Sequence, residues 1–165
     1  MFVVVMGVTG SGKSTIGKLL AERLGLPFHD ADDYHSPENR AKMAADIALD
    51  DADRKPWLAR LALLAREWQA TGGVVLACSA LKQAYRDALF EHVPEHRLVY
   101  LDLPRASAEQ RLTERRGHHT FVRDFQRLLD GQYRDLEPPV DALHLASDLP
   151  IEEMLKRATA FVRGS

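Results

Sequence analysis

The chain contains a single cysteine, Cys78, and a single asparagine, Asn39, among its 165 residues. One thiol cannot close an internal disulfide, which excludes the stapled secreted scaffolds and fits a reducing compartment; the cytoplasm is the expected location. Charge of one sign is not in excess either, since 22 Lys and Arg stand against 24 Asp and Glu for a formal net charge of -2. No global attraction to nucleic acid or to an anionic membrane follows, so neither is an expected partner. Long hydrophobic runs are missing as well. The apolar stretch Phe2 to Met6 has no basic residue before it and stops at Gly7, far short of the roughly 20 residues that a membrane span needs. Linkers, low-complexity tracts and internal repeats are absent. With 45% hydrophobic residues over this length, one domain over residues 1–165 is expected.

What is present alternates. Apolar runs rich in β-branched residues at Phe2–Met6, Val74–Cys78 and Leu98–Leu103, with weaker ones at Pro27–Asp30 and Leu143–Ala146, predict strands buried on both faces. Helical spacing fills Lys13–Leu24, Asp53–Thr71, Leu81–Phe90, Ser107–Arg115, Phe125–Leu136 and Ile151–Val162. Ser36-Pro37 opens a shorter helix through Met43, and Gly72-Gly73 closes the long one. Strand and helix in alternation predict an α/β fold with a parallel sheet covered by helices.

Between the first strand and the first helix stands Gly7-Val8-Thr9-Gly10-Ser11-Gly12-Lys13-Ser14, a match to G-x-x-x-x-G-K-[ST] in the context its mechanism requires. The glycines let the backbone wrap with its N–H groups inward, and the helix N-terminus adds positive potential for a phosphate. Lys13 is expected to reach the β- and γ-phosphates and Ser14 to supply a hydroxyl to Mg²⁺. The cofactor-binding set is Gly7, Thr9, Gly10, Ser11, Gly12, Lys13, Ser14 and the following Thr15. A regulatory GTPase would carry D-x-x-G and N-K-x-D elements. No aspartate here has a glycine three residues later, and Asn39 is followed by Arg40. A motor-type ATPase would place a carboxylate after the strand beside the loop, but Val74–Ala77 runs into Cys78-Ser79. The metal-side carboxylate is expected instead from His29-Asp30-Ala31-Asp32-Asp33, where residues two apart on an extended segment share a face. Asp30 is assigned to the metal and Asp32 to the base that accepts a hydroxyl proton; a solvated acidic turn is the alternative.

Further blocks carry a family resemblance. They are Asp30-Ala31-Asp32-Asp33-Tyr34-His35, Glu38-Asn39-Arg40, Leu49-Asp50-Asp51 through Asp53-Arg54 to Pro56-Trp57-Leu58, Ala77-Cys78-Ser79-Ala80-Leu81-Lys82, Tyr85-Arg86-Asp87, Gly117-His118, and Gln132 with Leu136-Glu137-Pro138. Together with the phosphate loop they span nearly the whole chain, which resembles the gluconate kinases, small sugar-acid kinases related in fold to shikimate and nucleoside-monophosphate kinases. The resemblance implies a P-loop kinase fold, a five-stranded parallel sheet flanked by helices on both faces with a mobile lid at roughly 115–127. It implies transfer of the γ-phosphate of ATP, with Mg²⁺, to the 6-hydroxyl of D-gluconate, and a homodimer. Shikimate or another small polyol acid is the alternative acceptor, and a nucleotide-binding sensor without turnover the alternative of another class.

A sugar acid needs cationic forks for its carboxylate, and Arg40, Arg54, Lys82 and Arg86 are suitable. Arg54 stands either in that site or in a surface ion pair, and Asp50 and Asp51 either orient it or cap a helix. Lys82 and Arg86, four apart, either share a substrate-facing helix face or a solvated one. Trp57 packs either on the sugar carbons or in the core. His35, Ser79, His118 and Gln132 join Asp32 in the substrate set by resemblance. Arg111 and Arg115, one turn apart, are placed to stack on adenine and to reach the transferring phosphate respectively, which makes Arg115 catalytic with Lys13 and Asp32. Pro150, in the loop after the last strand, would flank the adenine.

Overall fold

The computed structural model describes residues 1–115 and 125–164. The elements in chain order are β1 (Phe2–Met6), α1 (Lys13–Leu24), β2 (Phe28–Asp30), a 3₁₀ turn (Ala31–Tyr34), α2 (Pro37–Ala44), α3 (Asp51–Ala70), β3 (Val74–Ala77), α4 (Gln83–Phe90), β4 (His96–Asp102), α5 (Arg105–Glu114), α6 (Phe125–Asp135), β5 (Leu143–Ala146) and α7 (Ile151–Arg163). All strand pairs are parallel, in the order β2-β3-β1-β4-β5. This is the expected five-stranded α/β sheet.

Alternation along β1 builds two cores. Phe2, Val4 and Met6 meet Trp57, Leu61, Leu76 and Leu89 beneath α3 and α4, whereas Val3 and Val5 meet Ile16, Leu20, Leu155 and Val162 beneath α1 and α7. All five β1 residues are 0% exposed, and each such side chain is worth about 2 kcal/mol on burial. The outer strands differ from the fully buried expectation. β5 alternates between buried and open positions and β2 is half-buried throughout, because an edge strand lacks a neighbour on one side.

The other differences lie at element ends. β4 begins at His96 because that residue pairs with Phe2. α3 begins at Asp51 because Asp50 caps it in a reciprocal box with Asp53. α4 begins only at Gln83, since Ala80 adopts φ 43°, a left-handed conformation no helix contains. The register Val5↔Ala77, Asp30↔Ala77 and Asp102↔Ala146 brings the carboxyl ends of the strands into one line. The phosphate loop after β1, the acidic turn after β2 and the loop after β3 therefore open on the same edge, where parallel sheets bind ligands. No helix among the described residues is long and apolar enough to cross a membrane.

Candidate active site

Gly12 precedes α1 as its N-cap, at φ 91° with no side-chain cap and no acidic residue in the first turn of the helix. Its first N–H groups are thus left for an anion. The neighbouring helices are closed. Ser36 Oγ accepts from Asn39 N at 3.1 Å to cap α2, Asp50 caps α3, and Glu137 Oε2 takes the Gln83 N–H of α4 at 2.7 Å. The α4 end behind Ser79–Lys82 is therefore already satisfied by Glu137. Inside the phosphate loop the buried Ser11 Oγ has no hydrogen-bond partner among the described residues. A Cβ on Gly7 would lie 2.5 Å from that oxygen, so only glycine allows this packing. An open helix N-terminus beside an orphaned hydroxyl fits a polyphosphate.

Two clasps hold the loop. Thr9 N donates to Gln132 Oε1 at 2.7 Å while Gln132 Nε2 donates to Thr9 Oγ1 at 2.9 Å. Arg111 donates to Gly10 O at 2.9 Å, to Ser147 Oγ at 3.0 Å and to Ser147 O at 2.7 Å, and Ser147 Oγ donates to Ser11 O at 2.6 Å. Gln132, expected at the acceptor, instead spends both polar atoms of its amide on Thr9. The guanidinium edge of Arg111 is engaged on Gly10 O and on both oxygens of Ser147. Exposed Pro150 caps α7 three residues beyond Ser147, and exposed Arg115 ends α5. His118 and residues 116–124 of the expected lid lie outside the described residues.

The carboxylates gather at the end of β2, where Asp30 caps the 3₁₀ turn that holds Asp32, not along one extended segment. Ser14 Oγ donates to Asp30 Oδ2 at 2.9 Å, and Asp30 Oδ1 accepts from Asp32 N at 3.0 Å. Hydroxyl and carboxylate are hard oxygen donors of the kind Mg²⁺ takes alongside phosphate oxygens. Among the described residues no group of three His, Cys, Asp or Glu could hold a metal unaided. Ser14 and Asp30 therefore fit Mg²⁺ as an ion shared with a nucleotide. Asp32 projects into the cleft with 63% of its side-chain surface open. Desolvation by the surrounding cleft, followed by the charge of Asp30, pushes its carboxyl above the ordinary range; Lys13 pulls it back and Asp33 adds a smaller push. His35 Nε2 lies 3.8 Å from Asp32 Oδ1. The ring is buried and stacked on Trp57 at 4.3 Å. Burial first, then Arg54 and Arg40, push its pKa down to about 4, so it stands neutral beside Asp32.

The expected acceptor cations divide. Arg86 is corrected: it is 2% exposed and donates to Ala80 O and Leu81 O at 2.9 Å and to Gln83 Oε1 at 2.8 Å. It braces the strained Ala80 turn from within the core and does not line the cavity that holds Arg54 and Lys82. Trp57 is likewise core, 5% exposed with Nε1 donating to Ala31 O at 2.9 Å. Arg40 braces the acidic turn through the carbonyls of Asp33 and His35. Arg54 and Lys82 remain together. They line a cavity of about 440 Å³ with Leu49, Asp50, Asp51, Arg134 and Asp135. Arg54 donates to Leu49 O at 2.6 Å, and Lys82 Nζ donates to Asp51 Oδ1 at 2.9 Å. Ser79 lies half-buried in the loop after β3. Cys78 is a buried core thiol, pushed up to about 12 by its burial and then by Asp32, and is no nucleophile.

Sequence reasoning left Asp51 between orienting Arg54 and capping a helix, and passed over Tyr85, Arg134 and Ser147 as site residues. Asp51 and Tyr85 had a signal in their blocks, while Arg134 and Ser147 carry no local motif.

A parallel sheet of this order, an open phosphate loop on its central strand and paired carboxylates at the same edge define a P-loop small-molecule kinase. A family model described as shikimate kinase matches residues 9–137. The chain is 44% identical over 155 residues to a probable gluconokinase of Xenopus tropicalis, covering 84% of this chain and 80% of that protein. It is 42% identical over 145 residues to a gluconokinase of Gluconobacter oxydans, covering 85% and 77%. The crystal structure of a gluconokinase from Sinorhizobium meliloti superposes with a TM-score of 0.86 at 38% identity, covering 98% of this chain and 91% of that one. The chain belongs to the gluconokinase family, within the wider group of shikimate-kinase-like enzymes.

Proposed function

We propose that the protein is a gluconokinase, transferring the γ-phosphate of ATP to the 6-hydroxyl of D-gluconate to give 6-phosphogluconate and ADP. The observation that carries the chemistry is the Ser14–Asp30–Asp32 arrangement beside Lys13 at the open N-terminus of α1. The family supplies the acceptor.

Backbone N–H groups of the loop and the Lys13 ammonium hold the phosphates. Mg²⁺, where bound through Ser14 and near Asp30, would offset the phosphate charge. Asp32 orients the acceptor hydroxyl and takes its proton as that oxygen bonds to phosphorus and the bond to the β-phosphate oxygen breaks. Its raised pKa makes it a better proton acceptor than an ordinary aspartate. Arg54 and Lys82 receive the acid group. Arg115 reaches the transferring phosphate, and Arg111 and Pro150 flank the adenine. A coupled ADP-release screen with Mg-ATP across D-gluconate, shikimate and nucleoside monophosphates tests this. Faster turnover with shikimate or a nucleotide than with gluconate would overturn the acceptor assignment.

A further inference from the structure

The cavity that holds Arg54 and Lys82 is electrically balanced without any ligand. Its charged lining is Arg54, Lys82 and Arg134 against Asp50, Asp51 and Asp135. Two of the three carboxylates have structural duties. Asp50 Oδ1 accepts the Asp53 N–H at 2.7 Å as the α3 cap, and Asp135 accepts from Arg134 Nε at 3.2 Å. Asp51 differs. Its side chain is 69% exposed, so no packing fixes it. It nevertheless takes Lys82 Nζ on both oxygens, at 2.9 and 3.2 Å, and the Tyr85 hydroxyl. Arg54 completes the ring, its guanidinium 3.4 Å from the Tyr85 oxygen and 5.5 Å from the Tyr85 ring centre. A carboxylate held by an ammonium and a phenol, with a guanidinium alongside, is the arrangement a sugar acid requires of its site.

We propose that Asp51 is a built-in stand-in for the carboxylate of the acceptor, occupying Lys82 and Tyr85 until the acid displaces it. This rests on the acceptor reading given above. Turning Asp51 outward into water leaves the lining with one uncompensated positive charge, which one substrate carboxylate neutralises. The exchange replaces one ion pair by another, so the charged acceptor gains less than the cations alone would give it. A neutral polyol gains nothing, because it cannot take over the pair with Lys82. A neutral acceptor therefore leaves Asp51 on Lys82, and Asp51 tunes affinity for acids alone.

The test compares Asp51→Asn and Asp51→Glu in steady-state kinetics with D-gluconate and with its neutral amide, D-gluconamide. Asp51→Asn should lower the KM for gluconate about fivefold, the worth of an exposed ion pair, with kcat little changed. It should not lower the KM for the amide in the same proportion, and Asp51→Glu, which restores the charge, should return the gluconate KM toward wild type. A rise in gluconate KM for Asp51→Asn would show that Asp51 positions Lys82 instead, and equal changes for both acceptors would show a purely structural role; either overturns the proposal. A wild-type enzyme that ignores gluconate but phosphorylates another acceptor would overturn the acceptor assignment and this proposal with it.

Discussion

Replacing Asp32 by asparagine should cripple the enzyme and stabilise the protein. The substitution keeps the shape and removes both the charge and the proton acceptor. Loss of a general base lowers kcat by about 10²–10⁴-fold, roughly 3–5 kcal/mol of barrier. The stability effect has the opposite sign. In the fold the Asp32 carboxyl lies above its ordinary value of 3.8, through desolvation first and Asp30 second, with Lys13 opposing. A raised folded value means that the protonated carboxyl favours the fold. That contribution is complete below the unfolded value and is lost as pH rises through the folded one. Above the folded value the ionised side chain therefore works against folding, and the amide relieves it. Because 63% of the side chain is open to solvent, screening holds the gain below about 1 kcal/mol, a rise in Tm of about 1–3 °C. Coupled ADP release and differential scanning calorimetry on the same preparation read both effects, and the thermal gain should vanish in acid below the ordinary carboxylate range. Retained turnover would move the base elsewhere, with Asp30 next. A lowered Tm would refute the electrostatic account, since the carboxylate would then be supporting the fold.

His35 should make the protein sensitive to mild acid. Its pKa falls from 6.5 to about 4 on folding, so stability is full above the unfolded value and declines as pH drops between the two, by at most roughly 3 kcal/mol. Urea midpoints across this range should fall less for His35→Phe, which keeps a ring against Trp57. Arg86→Met leaves the Ala80 and Leu81 carbonyls buried without their donor and should cost about 2–4 kcal/mol in urea unfolding while the KM for the acid stays near wild type. A KM effect at unchanged stability would return Arg86 to the acceptor site. Gly17→Ala would place a Cβ 2.7 Å from Phe28 Cε2. Overpacking of about 1–3 kcal/mol should outweigh the roughly 1 kcal/mol gain in helix propensity; a higher denaturation midpoint would contradict it.

The parts legible without a structure were those whose physics is local. β1 is a run of β-branched residues ended by Gly7, and α1 begins directly behind the loop glycines, so both elements fall where composition places them. The acidic turn worked for the same reason. Asp32 lies in the 3₁₀ turn directly behind β2, and Asp30 two residues earlier caps that turn by accepting its N–H, which brings both near Lys13. The capping role of Asp50 also rests on residues only three apart.

The sequence by itself thus determined the phosphate loop, the carboxylates facing it and the alternation that makes a parallel sheet. Only the tertiary structure decided which cations are available. Lys82 and Arg86 stand four apart on one segment and look equivalent in sequence, yet Lys82 reaches a cavity while Arg86 is buried on Ala80 and Leu81. The clasps from Gln132 to Thr9 and from Arg111 to Gly10 join residues 123 and 101 positions apart. Spacing along a chain fixes a side chain's direction from its own helix or strand. What it meets there depends on which other element the fold brings opposite, and burial then sets whether a charge is open to a ligand or already satisfied.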